Sequence, residues 1–535
     1  MQQHFDAMPP GTANHVPLSP VSFLTRAATV HGDRLAVIQG ETRRTWAEVG
    51  DRIRRVAGGL AAQGIGQGDT VTVIAPNCPE LFELHFAVPM AGGVLSALNT
   101  RLEAETIAYI IDHSDSALVI AGTGQLSLIQ AALDLAARSP KVIEVSLPDA
   151  KPQGPSYADL LESAPFCGDG LPVDEWQALA LNYTSGTSGR PKGVVYHHRG
   201  AYLMALGTVA AWSMPEVPVY MSVVPMFHCN GWGHSWMMAV LGGTMVFPDS
   251  TAPEDLFAAI RVHGVTHFGA APIVLQMLAE SPAAPTQPLS PPLKVMTAGA
   301  PPPPAILERM AALGMDIMHV YGLTESYGHI SQCLPRDAWD VLDPATQAAH
   351  RARQGVSLPM VQAVTVLDRD TGEPVPWDGE TQGEIAIRGN TLMKGYYKDP
   401  DATAQVMQDG WFWSGDGAVV HPDGYIQIRD RLKDVIISGG ENVSSVEVEA
   451  VLYRHPDVQT AAVIARPHPK WGEAPCAFVE LRPGAEADEE AIIAFCRQHL
   501  AGFKTPKSVI FDQIPKTATG KVQKFELRNR LMQKG

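Results

Sequence analysis

Leu179 to Gly193 reads LALNYTSGTSGRPKG. The first five residues have the apolar, β-favouring texture of a buried strand, and the next ten form a loop built of small and hydroxylated residues. Gly186, Gly189 and Gly193 permit tight backbone turns, Thr184, Ser185, Thr187 and Ser188 offer hydroxyls, and Lys192 supplies a cation. Such a loop can wrap a polyphosphate with backbone N–H groups and hydroxyls. It is not a Walker A loop, because Lys192 lies between Pro191 and Gly193 instead of within Gly-Lys-Ser/Thr.

Working outward, apolar runs alternate with helical stretches. Thr70–Ala75, Val142–Val145, Leu179–Tyr183 and Leu293–Thr297 read as strands, and Pro79–Met90 reads as a helix with proline in its first turn. This alternation predicts an α/β fold with largely parallel pairing. Ser281–Pro292 holds five prolines and predicts a surface loop. From about Ile385, short β-type segments separated by Gly and Asp turns predict a small antiparallel or barrel-like part. After Asp430 the pattern predicts a compact α+β region, with helices over Val446–Tyr453 and Ala487–Leu500 and strands over Thr460–Ala465 and Ala477–Leu481. The expected organisation is therefore a domain over 1–429 and a smaller one over 430–535.

The chain has 535 residues, enough for at least two domains. A net charge of −16 argues against a general nucleic-acid binder. One of the longest strongly apolar stretches, Trp236–Phe247, has 12 residues, too few to span a bilayer, and the N-terminus lacks a signal-peptide pattern. Six cysteines without metal or redox spacing predict free thiols in a reducing cytoplasm.

Four further motifs follow in order: YGLTES (Tyr321–Ser326), GWFWSGD (Gly410–Asp416), RDRLKDVIISGGENVSSVEVE (Arg429–Glu449) and PKTATGKVQK (Pro515–Lys524). With TSGTSGRPKG, they make the whole chain resemble the adenylate-forming superfamily of acyl-CoA synthetases, aryl-CoA ligases, luciferases and adenylation domains. The FHCNGW stretch (Phe227–Trp232) resembles short- and medium-chain acyl-CoA ligases, including methylmercaptopropionate-type enzymes. The resemblance implies a large N-terminal domain of parallel α/β subdomains with a β-barrel-like part, followed by a small mobile α+β domain.

It also implies residue roles. Ser185 to Gly189 and Lys192 would cradle phosphate, with Thr184 and Glu325 on Mg²⁺. Ala298, Gly299, Ala300, Tyr321 and Gly322 would border adenine, Thr324 would bind phosphate, and Asp416 and Arg431 the ribose. Asp430 would be the hinge, Lys521 the catalytic cation joining carboxylate and α-phosphate, and Gly439 and Gly440 a path for coenzyme A. His228 would gate the acyl site, lined by Asn230, Trp232, His234 and Val320; His197 and His198 read as solvated. Val320 stands where aryl-CoA ligases commonly have glycine, which predicts a short pocket.

The expected activity is an AMP-forming ligase joining a short- or medium-chain or small substituted carboxylic acid to coenzyme A, with ATP and Mg²⁺. Delivery to a free carrier protein and an aryl-CoA ligase are the alternatives, since no fused carrier follows Gly535. A luciferase-like oxygenase and a non-catalytic nucleotide sensor are further readings; intact Lys192, Glu325 and Lys521 argue against the sensor. A homodimer is compatible with the sequence. Eight of the ten charged residues from Phe503 to Gly535 are basic, so Lys521 lies in a cationic segment of an acidic chain.

Overall fold

The computed structural model describes residues 8–146, 154–184, 190–300, 302–432, 434–438, 441–517 and 522–534. The chain packs as two units. The first comprises Met1–Gly269, Leu323–Gly328 and Gly389–Thr403, and the second comprises Ala270–Gly322, His329–Arg388 and Ala404–Gly535.

In the first unit, Thr70–Ile74 is a fully buried strand with parallel neighbours Val94–Ala97 and Leu118–Gly122. Lys141–Val145 and Ala178–Thr184 extend this sheet on either side in parallel. Continuous apolar runs suit such strands because helices cover both faces. Lys192–His197 then turns back antiparallel to Ala178–Thr184, and Gly395–Tyr396 adds an antiparallel edge. A second sheet region contains Val219–Met221, Thr244–Val246, Leu35–Gln39 and His267–Ala270 in parallel, with Thr42–Thr45 closing a hairpin. The helix Pro79–Met90 has the predicted bounds, and all but one of its residues are buried.

Within the second unit, Leu293–Thr297 pairs in parallel with Met315–Tyr321. The proline-rich stretch connects the helix Pro272–Glu280 to Leu293–Thr297. The antiparallel part begins earlier than the expected start near Ile385. Ala363–Leu367 pairs with Gly383–Arg388, then Trp411–Val420 and Ile426–Arg431 follow. The first of these strands is itself followed by a turn of the same kind, with Asp368, Asp370 and Gly372, so the signature already begins there.

The C-terminal region is α+β. A long hairpin of Val458–His468 and Gly472–Leu481 carries Ser508–Phe511 in parallel on its outer edge. The helices Ser445–Leu452 and Glu489–His499 bury Val448, Leu452, Ile492 and Cys496 against Ala461, Val463, Ala477 and Val479. Both hairpin strands run longer than predicted, because their polar outer ends still pair through the ladder.

A buried carboxylate locks the N-terminal helices together. Glu83, on the helix Pro79–Met90, is fully buried. It accepts hydrogen bonds from Arg52 Nε (2.6 Å), Arg44 Nη1 (3.1 Å) and the Tyr157 hydroxyl (2.8 Å). Deleting one partner of a buried ion pair strands the others, at a cost of roughly 3–5 kcal/mol. Glu83→Ala should therefore lower the denaturant midpoint strongly in equilibrium unfolding; a midpoint within error of wild type would refute this account.

Candidate functional site

The phosphate loop leaves the sheet at Thr184 and re-enters it at Lys192, and these two residues are cross-strand partners. Ser185, Gly186, Thr187, Ser188 and Gly189 lie outside the described residues. Lys192 Nζ sits 4.7 Å from the centre of the Tyr396 ring and 4.0 Å from the Asp399 carboxylate. The Tyr396 hydroxyl donates to Glu325 Oε1 at 2.7 Å. One phenol therefore spaces the site's cation from its carboxylate and orients that carboxylate. Tyr396 escaped the sequence reading; its only cue was the Tyr396–Tyr397 pair set between Lys394 and Lys398.

Thr324 and Glu325 form a single 3₁₀ turn with Ser326. The turn is pinned by the Tyr196 hydroxyl, which donates to Thr324 O at 2.6 Å, and by Met393 N, which donates to Glu325 O at 2.7 Å. Among the described residues, no cluster of three or more His, Cys, Asp or Glu side chains could hold a metal. The oxygen donors of Thr184 and Glu325 fit Mg²⁺, which is commonly bound through one or two carboxylates plus substrate phosphates.

The FHCNGW segment adopts a conformation its sequence did not announce. Cys229, Asn230, Gly231, Trp232 and Gly233 have φ of +48°, +53°, +60°, +56° and +71°. A left-handed turn costs each non-glycine residue roughly 1–2 kcal/mol, so it must be held by its surroundings. Asn182 Nδ2 donates to Asn230 Oδ1 at 2.9 Å, from the strand that leads into the phosphate loop. Trp232 packs against Gly328, where an added Cβ would lie 3.3 Å from the indole. Asn230 and Trp232 are buried, while His228 at the turn's entrance is half-buried.

Burial raises the Cys229 thiol, but the charge of His228 and hydrogen bonds with His228, Thr324 and Tyr196 outweigh it and bring its pKa below the ordinary value. His234 is buried beneath the turn and hydrogen-bonds the Tyr220 hydroxyl.

His197 and His198 are not solvated. Both are buried, and burial lowers each pKa to about 4, so they are neutral at pH 7. His197 Nδ1 accepts from Gly200 N at 2.9 Å and caps the helix His198–Ala211; His198 hydrogen-bonds Ser19 Oγ. Polar neighbours in sequence concealed this, because Ser19 beside His198 and the Leu392 carbonyl beside His197 Nε2 come from distant segments.

In the second unit, Tyr321 ends the strand Met315–Tyr321, and its hydroxyl donates to Asp416 Oδ2 at 2.6 Å. Arg431 Nε lies 3.0 Å from Asp416 Oδ1 across the ladder. Burial and the Asp416 charge push the Tyr321 phenol well above its ordinary pKa, so it stays a donor. Asp416 lies inside the strand Trp411–Val420. Ala298 is buried, whereas Gly299 and Ala300 are exposed. Gly299 has φ +94° with open space where a Cβ would point, so a flat group can approach the backbone there. Gly322 is half-buried, and Val320 is buried opposite Gln332.

Asp430 is buried, its carboxylate accepting from Ser445 N and Oγ. Gly439, Gly440 and Lys521 lie outside the described residues. A polar cavity of about 240 Å³ in the C-terminal region is lined by Arg466, His468 and Lys507 among others. The Lys507 and Lys470 ammonium groups lie 5.8 and 4.8 Å from the Trp471 ring. The sequence reading missed this cluster because Lys507 joins the Arg466–Trp471 segment from a separate stretch of chain.

Comparison with known proteins extends over the whole chain. The family described as AMP-binding enzyme matches residues 24–397, and the AMP-binding enzyme C-terminal domain matches 447–521. The peroxisomal acetate/butyrate–CoA ligase of Arabidopsis thaliana is 45 % identical over 99 % of this chain and 97 % of its own. The 2-methylpropanoate–CoA ligase of Humulus lupulus is also 45 % identical, over 97 % of this chain and 96 % of its own. Among solved structures, ATP-bound MatB from Rhodopseudomonas palustris superposes with a TM-score of 0.83 at 27 % identity, covering 95 % of this chain and 98 % of that one. The fold, the ordered motifs and these matches agree: the chain belongs to the AMP-binding enzyme family, within the adenylate-forming superfamily.

Proposed function

We propose that this protein is an ATP-dependent, AMP-forming carboxylate–CoA ligase for short-chain or small substituted acids. The observation that carries the reading is the Lys192–Tyr396–Glu325 arrangement beside the phosphate loop, which sets one cation and one carboxylate for a metal-bound polyphosphate. The similarity to acetate/butyrate and 2-methylpropanoate ligases supports both the coenzyme A step and the size of the acid.

In the first step a carboxylate oxygen of the acid attacks the α-phosphorus of ATP. The bond from that phosphorus to the bridging oxygen breaks, and pyrophosphate leaves with the electron pair. Lys192 neutralises phosphate charge, Thr324 donates to phosphate, and Glu325 with Thr184 would hold Mg²⁺. Bound there, Mg²⁺ would supply Lewis-acid stabilisation of the phosphate oxygens. Tyr321, Asp416 and Arg431 take the adenosine, with Ala298 to Ala300 and Gly322 beside the base. Lys521 aligns the attacking oxygen and the α-phosphate.

In the second step the coenzyme A thiol attacks the acyl carbonyl, the carbonyl–oxygen bond to phosphate breaks, and AMP departs. We assign 430–535 as the mobile domain, with Asp430 as hinge and Gly439 and Gly440 beside the pantetheine arm. The Arg466, His468 and Lys507 cavity has the charge to hold coenzyme A phosphates. His228, Asn230 and Trp232 form the acyl side, with Val320 limiting its depth and His234 supporting it from below. The free cysteines suit a reducing compartment, and we place the enzyme in the cytoplasm, with the peroxisomal location of the Arabidopsis relative as the alternative.

Three outcomes test this reading. Pyrophosphate release across an acid panel should favour acetate, butyrate or 2-methylpropanoate and require coenzyme A for turnover; preference for palmitate or a cinnamate would reject the substrate class, and acyl transfer only to a carrier protein would reject the acceptor. Lys521→Ala should lower ATP–pyrophosphate exchange by about three orders of magnitude while ATP still binds, and undiminished exchange would remove Lys521 from catalysis. Tyr396→Phe should lower kcat/KM for ATP about tenfold and shift activation to higher Mg²⁺; an unchanged Mg²⁺ dependence would show that Tyr396 does not orient Glu325.

A further inference from the structure

Lys524 begins the helix Lys524–Lys534, three residues after Lys521. Its side chain is 13 % exposed, and its Nζ lies 2.8 Å from Glu449 Oε1. The same ammonium donates to Ser445 Oγ. Ser445 and Glu449 are one turn apart on the helix Ser445–Leu452, so both face the same cation. Ser445 Oγ in turn donates to Asp430 Oδ2 at 2.6 Å, and Ser445 N donates to the same oxygen at 2.5 Å. The direction of this relay is fixed, because an ammonium only donates and a carboxylate only accepts. Val463 N completes the set by donating to Glu449 Oε1 at 2.8 Å.

We propose that Lys524 is a positioning residue for adenylation: through Ser445 it ties the segment that carries Lys521 to the hinge carboxylate of Asp430. The inference rests on the ligase reading above.

Asp430 has a divided allegiance. Its backbone belongs to the strand Ile426–Arg431, opposite Gly417, while its carboxylate is held by Ser445 at the start of the next helix. Ser445, Glu449 and Lys524 all follow Asp430 in sequence, so the network belongs to the mobile part. The swivel is thereby confined to backbone on the N-terminal side of that carboxylate, around Arg429 and Asp430. The start of the helix Lys524–Lys534 is thereby tied to the Asp430 carboxylate. Arg431, the next residue, donates its backbone N–H to Asp430 Oδ1, and its side chain pairs with Asp416, which accepts from Tyr321. A continuous polar chain thus runs from the adenosine-side residues to the helix that follows Lys521.

Burial opposes the Lys524 charge, but the Glu449 and Asp430 carboxylates more than compensate and raise its pKa. The cation is therefore permanent at working pH. A stretch whose only task was stability could use apolar side chains here at little loss. A fully satisfied polar network fixes one geometry instead.

The test compares full-length Lys524→Met, Lys524→Arg and Ser445→Ala with wild type. It measures ATP–pyrophosphate exchange with butyrate, thioester formation from supplied butyryl-adenylate and coenzyme A, and thermal unfolding. Ser445→Ala cuts the relay but leaves the Lys524–Glu449 pair, so it keeps the test decisive if Lys524→Met fails to fold. Expected is a fall of about tenfold or more in exchange kcat for Lys524→Met and Ser445→Ala. The KM for ATP and thioester formation from the adenylate should stay near wild type, with Lys524→Arg recovering most of the loss. Unchanged exchange in Ser445→Ala, or an equal fall in both half-reactions that tracks lost thermal stability, would overturn the proposal. No exchange by wild type with any acid would instead overturn the ligase reading itself.

Discussion

The pairing of Ala178–Thr184 with Lys192–His197 is the constraint on which the first unit's chemistry depends. This one antiparallel ladder fixes both ends of the phosphate loop. From its first strand, Asn182 reaches the left-handed turn at Asn230. From its second strand, the Tyr196 hydroxyl holds Thr324 O, and His197 N donates to the Tyr327 hydroxyl. The Gly395–Tyr396 edge pairs with Val194 and Val195, which delivers the Tyr396 phenol to Glu325. Residues far apart in sequence therefore reach the phosphate loop's neighbourhood as side branches of two strands. A sheet interior is close-packed and stiff, so it can hold such branches in register without a ligand.

That dependence also explains what was legible beforehand. The strands Thr70–Ile74 and Leu293–Thr297 and the helix Pro79–Met90 announce themselves through local apolar pattern and proline placement. The phosphate loop and the Tyr321, Asp416 and Asp430 motifs are contiguous, so composition and family resemblance both reveal them. Tyr396, Cys229, the buried His197 and His198, and Lys524 gain their meaning from partners that local pattern does not reveal, such as Glu325, Thr324, Ser19 and Ser445, or from a backbone shape that no local pattern encodes. The left-handed turn is the clearest case: CNGW contains a single glycine, yet three of its non-glycine residues take positive φ because Asn182 and Gly328 hold the turn from outside.

Two buried ionic networks in this chain do different work. Around Glu83, two arginines and a tyrosine, from the strand Thr42–Thr45 and two helices, converge on one carboxylate, and the gain is a single fixed packing. Around Lys524, the partners come from elements on both sides of a long sequence gap, and Ser445 carries the network on to the Asp430 carboxylate. Burial makes both costly to break, but only the second joins the end of the chain to the strand Ile426–Arg431.

The charge balance ties these features together. A chain with net charge −16 must bind ATP, itself an anion, so its local field has to oppose its total. Lys192 is 34 % exposed and 4.0 Å from a similarly accessible Asp399, a weak and screened pair. Arg431 is held at 3.0 Å by a nearly buried Asp416, so it is oriented more than it is free to neutralise. Lys524 is withdrawn altogether, bound at 2.8 Å to Glu449. The cations thus form a graded series, from one exposed and loosely paired to one buried and closely held. Total charge is blind to that order; the depth and distance of each carboxylate partner set it.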